Sequence, residues 1–164
     1  MVPRRSTQPL TVVLPDIEDS YTISRGDLAD ARVLNFRAFA SVHLVKVMDE
    51  YFETVRRAPP GMAVRQGFVL RVDVTELDYP VQSAASRGAL AAQFRARFVW
   101  RAALYHAEEP DTFLFSYSGI GESPYGFGSG SDTVEAWESA IEDGLQDFLE
   151  ALAERGIIDQ LIRQ

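Results

Sequence analysis

The stretch from Ala89 to Leu104, ALAAQFRARFVWRAAL, alternates with a period of two. Phe94, Ala96, Phe98, Trp100, Ala102 and Leu104 share one parity, while Gln93, Arg95, Arg97 and Arg101 share the other. A strand sends alternate side chains to opposite faces, whereas a helix groups positions three and four apart. The helical grouping Gln93, Arg97, Trp100 and Leu104 mixes charge with aromatics, so the pattern predicts a strand with an aromatic dry face and an arginine-bearing wet face. GFVLRVDVTEL repeats the theme, with Phe68, Leu70, Val72 and Val74 set against Val69, Arg71, Asp73 and Thr75. TFLFSYSGI alternates Phe113, Phe115 and Tyr117 against Leu114, Ser116 and Ser118, and HAEEPD supplies the turn before it. These three strands are expected to form an antiparallel meander. PLTVVLP, a β-branched run between Pro9 and Pro15, reads as a first strand beside one of them.

Two segments carry helical spacing. From about Leu28 to Arg57, Leu34, Ala38, Val42, Val45, Met48, Phe52 and Val55 recur every three or four residues, and APPG from Ala58 to Gly61 closes the segment. VLNFRAFA, Val33 to Ala40, also fits the alternation of a strand ahead of a shorter helix from about Ser41, and both readings stand. Val134, Trp137, Ile141, Leu145, Phe148 and Leu152 make the apolar stripe of a second long helix. DTVE offers it a capping box through Asp132 and Glu135, Gly156 suits its end, and IIDQLIRQ adds a short amphipathic tail. The order β-α-β-β-β-α predicts an α+β two-layer sandwich, a mostly antiparallel four-stranded sheet with two helices on one face. It is expected as one domain over residues 9–164, after a disordered or tethering segment 1–8.

Composition adjusts this picture only modestly. With 164 residues, 46% hydrophobic and 11% aromatic, the chain can bury an ordinary core. Its formal charge of −8 and pI of about 4.7 disfavour non-specific attraction to nucleic acid or anionic membranes. There is no cysteine, so disulfides, thiolate metal sites and cysteine nucleophiles are excluded. No apolar run approaches the roughly 20 residues that span a bilayer.

Few residues suggest chemistry. His106 lies near Glu108, Glu109 and Asp111, which admits a metal or acid–base cluster against the plainer reading of a solvated acidic turn. The glycine-rich GIGESPYGFGSGSD precedes a helix, yet its spacing matches neither a P-loop nor a dinucleotide fingerprint. Serines 116, 118, 123, 129 and 131 lack a nucleophile-elbow context, and Asp27 of Arg25-Gly26-Asp27 is explained by a helix start. No catalytic residue, metal or cofactor is expected. Two surfaces remain as candidates for partner binding. One is the outer sheet stripe Arg71, Arg95, Arg97 and Arg101, where cross-strand pairing with Asp73 and nearby acids competes with docking. The other is a second apolar stripe on the first helix, Phe36, Phe39, His43 and Val47, nearly opposite the first stripe. Single-stranded RNA platforms place aromatics on the exposed parity of a sheet, and here the aromatics take the inner one.

GFVLRVDVTELDY, ALAAQFRARFVWRAAL, TFLFSYSGIGES and TVEAWESAIEDGLQDFLEALAE, taken together over Gly67 to Glu154, resemble the small periplasmic lipoproteins of Gram-negative envelopes, especially auxiliary components of ABC-type transport systems. The resemblance implies a non-enzymatic adaptor that binds protein partners of an envelope or transport complex, or lipid, and is compatible with a homo-oligomer. It implies a periplasmic or outer-membrane-anchored location through a lipidated cysteine outside this sequence, with MVPRRSTQP as a tether remnant; without an export segment the chain would be cytoplasmic. An acidic cytoplasmic secretion chaperone is the alternative within binding proteins. A small enzyme working between the 121–132 loop and His106 is the alternative outside them.

Overall fold

Leu10–Val13 (β1) has the sequence LTVV, and all four of its residues are buried. A strand enclosed on both faces also needs hydrogen-bonding neighbours on both edges, because unpaired backbone groups cost free energy once water is excluded. Val55–Ala58 (β4) and Phe68–Asp78 (β5) supply those neighbours, both parallel to β1. Arg97–His106 (β8) pairs antiparallel with β5, and Phe113–Glu122 (β9) pairs antiparallel with β8. The result is a five-stranded mixed sheet in the order β4-β1-β5-β8-β9. In this computed structural model the described residues are 4–14, 20–23, 32–78, 81–82, 93–94, 96–124, 126–127 and 131–164.

The α+β class and the antiparallel meander β5-β8-β9 match the expectation; the strand count and the pairing of the first strand do not. A fifth strand, β4, lies where the long first helix was expected to continue. The helical spacing of Val45, Met48, Phe52 and Val55 is real, but it runs across three different elements. Arg32–Asn35 (β3) pairs antiparallel with Ser20–Ile23 (β2), the helix α1 then occupies only Phe36–Met48, and a turn leads into β4. Closing the second edge of the buried β1 outweighs the helix propensity of the segment after Met48. Val33 to Ala40 is therefore divided, strand through Asn35 and helix from Phe36. The chain is already tied to the fold at Ser6, ahead of residue 9: Ser6 is 1% exposed, its N–H donates to Tyr51 O at 2.8 Å, and Glu53 N–H donates to Ser6 O at 3.1 Å.

Short strands Val81–Gln82 (β6), Gln93–Phe94 (β7) and Gly126–Phe127 (β10) form a separate three-stranded sheet in the order β10-β7-β6. The long helix Ser131–Glu154 (α2) is followed by Ile157–Arg163 (α3), so there are three helices among the described residues where two were expected. Gly156 sits between them with φ +66°, the left-handed conformation that glycine adopts without steric cost.

The core lies on one side of the main sheet. Phe68, Leu70, Val72, Phe98, Trp100, Ala102, Leu104 and Phe115 meet Leu44 and Met48 of α1, Trp137, Ile141, Leu145, Phe148 and Leu152 of α2, and Ile157 and Leu161 of α3. Burying each large apolar side chain stabilises the fold by about 1.5 to 3 kcal/mol. The parity reading of the central strand holds at Ala96, Phe98, Trp100, Ala102 and Leu104, all buried, and so does the α2 stripe from Trp137 to Leu152. Helix and sheet touch most closely at Gly121 and Gly144, where a Cβ on Gly121 would stand 2.4 Å from the Ala140 carbonyl oxygen. Only glycine permits that approach. Asp143 also receives the Glu122 N–H at 3.0 Å, tying α2 to β9.

Two β-bulges change which side chains face the helices. On β5 the register jumps between Val74 and Glu76, so Leu77 rather than Glu76 faces Phe98. On β9 Leu104 pairs with Phe115 but Tyr105 pairs with Phe113, leaving Leu114 as the extra residue. The parity of β9 flips there, and Phe113, expected on the dry side, is 58% exposed on the wet side.

Candidate partner-binding face

The helices contribute to the core on one side, and on the other side Arg71, Asp73, Arg101, Phe113, Ser116 and Ser118 are exposed. Its middle is built by register. Arg71 of β5 stands opposite Ala103 of β8, Asp73 opposite Arg101, and Arg101 in turn opposite Ser118 of β9. A depression of about 390 Å³ lies over this patch, lined among others by Arg71, Asp73, Arg101, Tyr105, Phe113 and Ser118. Tyr105 forms its floor as a buried side chain, and its ring meets that of Phe113 at 6.0 Å with a 55° tilt. The hairpin turn contributes Asp111, and Ser116 adds a hydroxyl.

The four arginines of the predicted stripe part company here. Arg97 is held in cross-strand ion pairs, 3.1 Å to Glu76 and 3.3 Å to Glu122, which is the structural role weighed from sequence. Arg71 and Arg101 are exposed, and among the described residues neither makes an ion pair, although Asp73 lies directly across from Arg101. Arg95 lies outside the described residues. The structure thus brings Arg71 and Arg101 into one depression and leaves Arg97 as a brace near the end of the strand.

The first-helix stripe behaves differently. Val47 packs against the main core, joining Leu44 and Met48 on the inner side of α1. Val42, assigned to the inner stripe from sequence, is 53% exposed. The helix is therefore rotated relative to the expectation, with Ser41, Leu44 and Met48 buried. His43 is half-buried and engaged in a contact of its own. The side chains of Phe36 and Phe39 lie outside the described residues.

His106 does not gather the acids near it. Its ring stacks on Phe68, with centroids 4.5 Å apart and an interplanar angle of 31°, and its carbonyl accepts the Glu109 N–H at 2.9 Å. Among the described residues no group of three His, Asp or Glu side chains has the geometry of a metal site. Ser123, one of the serines considered as a nucleophile, is buried with its hydroxyl accepting the Ala96 N–H at 2.8 Å, so it fastens the start of β8. Among the described residues Tyr117 has a displaced titration: burial, and then the carboxylates of Asp147 and Asp143, hold its phenol above the ordinary value of 10.0. Tyr117 packs on Trp100 and Phe148 at 5.2 and 5.5 Å, a core position rather than a reactive one.

Sequence reasoning missed Phe113, Tyr105, Ser116 and Ser118 as members of this face. Ser116 and Ser118 were legible from parity once β9 is paired with β8. Phe113 was hidden by the bulge.

Searches with family models and among curated proteins match nothing. Among solved structures, a protein described as a neuraminyllactose-binding hemagglutinin homolog from Helicobacter pylori is similar at 10% identity, over 98% of this chain and 90% of that one, with a TM-score of 0.55. Lipoprotein GNA1162 from Neisseria meningitidis is similar at 18% identity, over 82% and 94% respectively, with a TM-score of 0.39. The first likeness establishes a shared fold across nearly the whole chain.

Proposed function

We propose that this chain is a non-enzymatic binding domain of a bacterial cell envelope, an auxiliary component of a transport or envelope-assembly system that docks a protein partner on the open face of its sheet. One observation carries the reading: Arg71 and Arg101, which make no ion pair among the described residues, share a depression with the exposed ring of Phe113 on the side of the sheet opposite the helices. Arginine and aromatic side chains dominate the energetics of protein interfaces, and an unpaired arginine offers a planar fork of donors to a partner carboxylate. The envelope setting is supported by the fold shared with the Helicobacter hemagglutinin homolog.

The test is a charge reversal. The double variant Arg71→Glu with Arg101→Glu, introduced into the gene in its own organism, loses the partner that co-purifies with the wild-type chain. Glu142→Lys, on the exposed side of α2, retains it. An unchanged partner in the double variant would overturn the assignment of the face.

A further inference from the structure

The residues between β4 and β5, 59–67, cross the outer side of the sheet at its β4 edge. Val64 packs there on a small cluster of Val13, Ala58, Val69 and Tyr105. Between this segment and the edge strands lies a cleft of about 530 Å³ that shares no lining residue with the depression around Arg71 and Arg101. Its lining includes Thr11, Arg56, Arg57, Met62, Arg65 and Gln66, and among the described residues no carboxylate. In a chain with a formal charge of −8 this is a concentration of positive charge against the overall trend.

The three arginines are not equivalent. Arg57 reaches toward α1, where its Nη1 donates to Ser41 Oγ at 3.3 Å. Arg56 and Arg65 are exposed and make no ion pair among the described residues. Thr11 stands opposite Arg56 in the parallel register and is 8% exposed at the wall of the same cleft. Its hydroxyl is a neutral polar group beside two cations that make no ion pair among the described residues.

We propose that this cleft binds a phosphate-bearing ligand, with Arg56 and Arg65 as the charged clamp and Thr11 and Gln66 as neutral hydrogen-bonding partners. Charge selects the class. A single carboxylate neutralises one guanidinium, whereas a phosphate monoester carries about −1.5 to −2 at neutral pH and three acceptor oxygens, which matches both arginines together. The group can reach the cleft on a soluble molecule or on a lipid headgroup. Met62, 58% exposed at the same cleft, is positioned to touch acyl chains in the second case.

Two measurements on the whole chain decide it: calorimetric titration with inorganic phosphate, and co-sedimentation with phosphatidylcholine vesicles with and without phosphatidic acid. The wild type binds phosphate, phosphatidic acid vesicles or both. Arg56→Gln with Arg65→Gln weakens that binding at least tenfold, while Arg101→Gln leaves it unchanged. Arg57 is left intact because it braces α1, and unaltered thermal melting shows that the double variant is folded. Titration without pelleting identifies a soluble ligand; pelleting that needs both arginines and falls in Met62→Ser identifies a headgroup. The proposal is overturned if neither probe binds, if the double variant binds like the wild type, or if acetate binds as tightly as phosphate.

Discussion

Phe148 is where the helical layer meets the aromatic face of the sheet, so its truncation measures that contact. The side chain is 1% exposed, and its ring lies 5.3 Å from Trp100, 5.8 Å from Phe115 and 5.5 Å from Tyr117. Replacing a buried phenylalanine by alanine costs about 3 to 5 kcal/mol, more where the walls of the hole cannot collapse. Three of the walls here are aromatic rings fixed on paired strands, which places Phe148→Ala near 4 kcal/mol, roughly half the stability of a typical domain. At about 2 to 4 °C per kcal/mol for a chain of this size, the melting point falls by about 8 to 16 °C. Phe148→Leu keeps most of the volume and loses less than about 1.5 kcal/mol. Urea unfolding followed by the fluorescence of Trp100 and Trp137, both buried, reads the change as a shifted midpoint at constant slope. A loss below about 1 kcal/mol for the alanine variant would mean that α2 does not close over these rings.

The rotation of α1 is tested by a pair: Val42→Asp stays within about 0.5 kcal/mol of wild type, whereas Leu44→Asp prevents cooperative unfolding, both read by denaturant titration. Arg97→Ala removes two partly exposed ion pairs and costs about 1 kcal/mol or less, a difference that shrinks further in 1 M salt because such pairs are screened. Tyr117 makes stability sensitive to alkali. Its phenol is raised above the unfolded value of 10.0, so its contribution is intact below that pH and is lost as pH rises through the folded value. Tyr117→Phe flattens this alkaline limb, and ultraviolet titration of the wild type shows one tyrosine ionising later than the exposed ones.

Much of the architecture is written in side-chain parity, because a face packed under helices must stay apolar over its whole length. Phe98, Trp100, Ala102 and Leu104 obey it without interruption, and so does the α2 stripe. Parity is informative only while the register is unbroken. A bulge adds one residue with no compositional mark, and for that reason Phe113 could not be placed on the outer face from its sequence alone. The first helix failed for a different reason. Apolar residues surround it almost completely, so the spacing of Val42 and Leu44 gives no preferred face, and only packing chooses between them. The second edge of β1 was implicit in LTVV, four consecutive buried residues that need neighbours on both sides, but the partner came from a segment with helical spacing. Charge pairing was out of reach altogether: Arg97 and Arg101 are four residues apart on one strand, and only the positions of Glu76 and Glu122 separate the braced arginine from the available one.

Docking of a partner on the sheet face around Arg71 and Arg101, rather than on the helical layer, is open to a direct test. A photo-crosslinking residue placed at Ser118, beside Arg101, and in a second strain at Glu142 on α2, tests it in living cells of the source organism. Docking on the sheet face yields a discrete adduct from position 118 that disappears when Arg71 and Arg101 are reversed, and none from position 142. An adduct formed only from the helical position would contradict it.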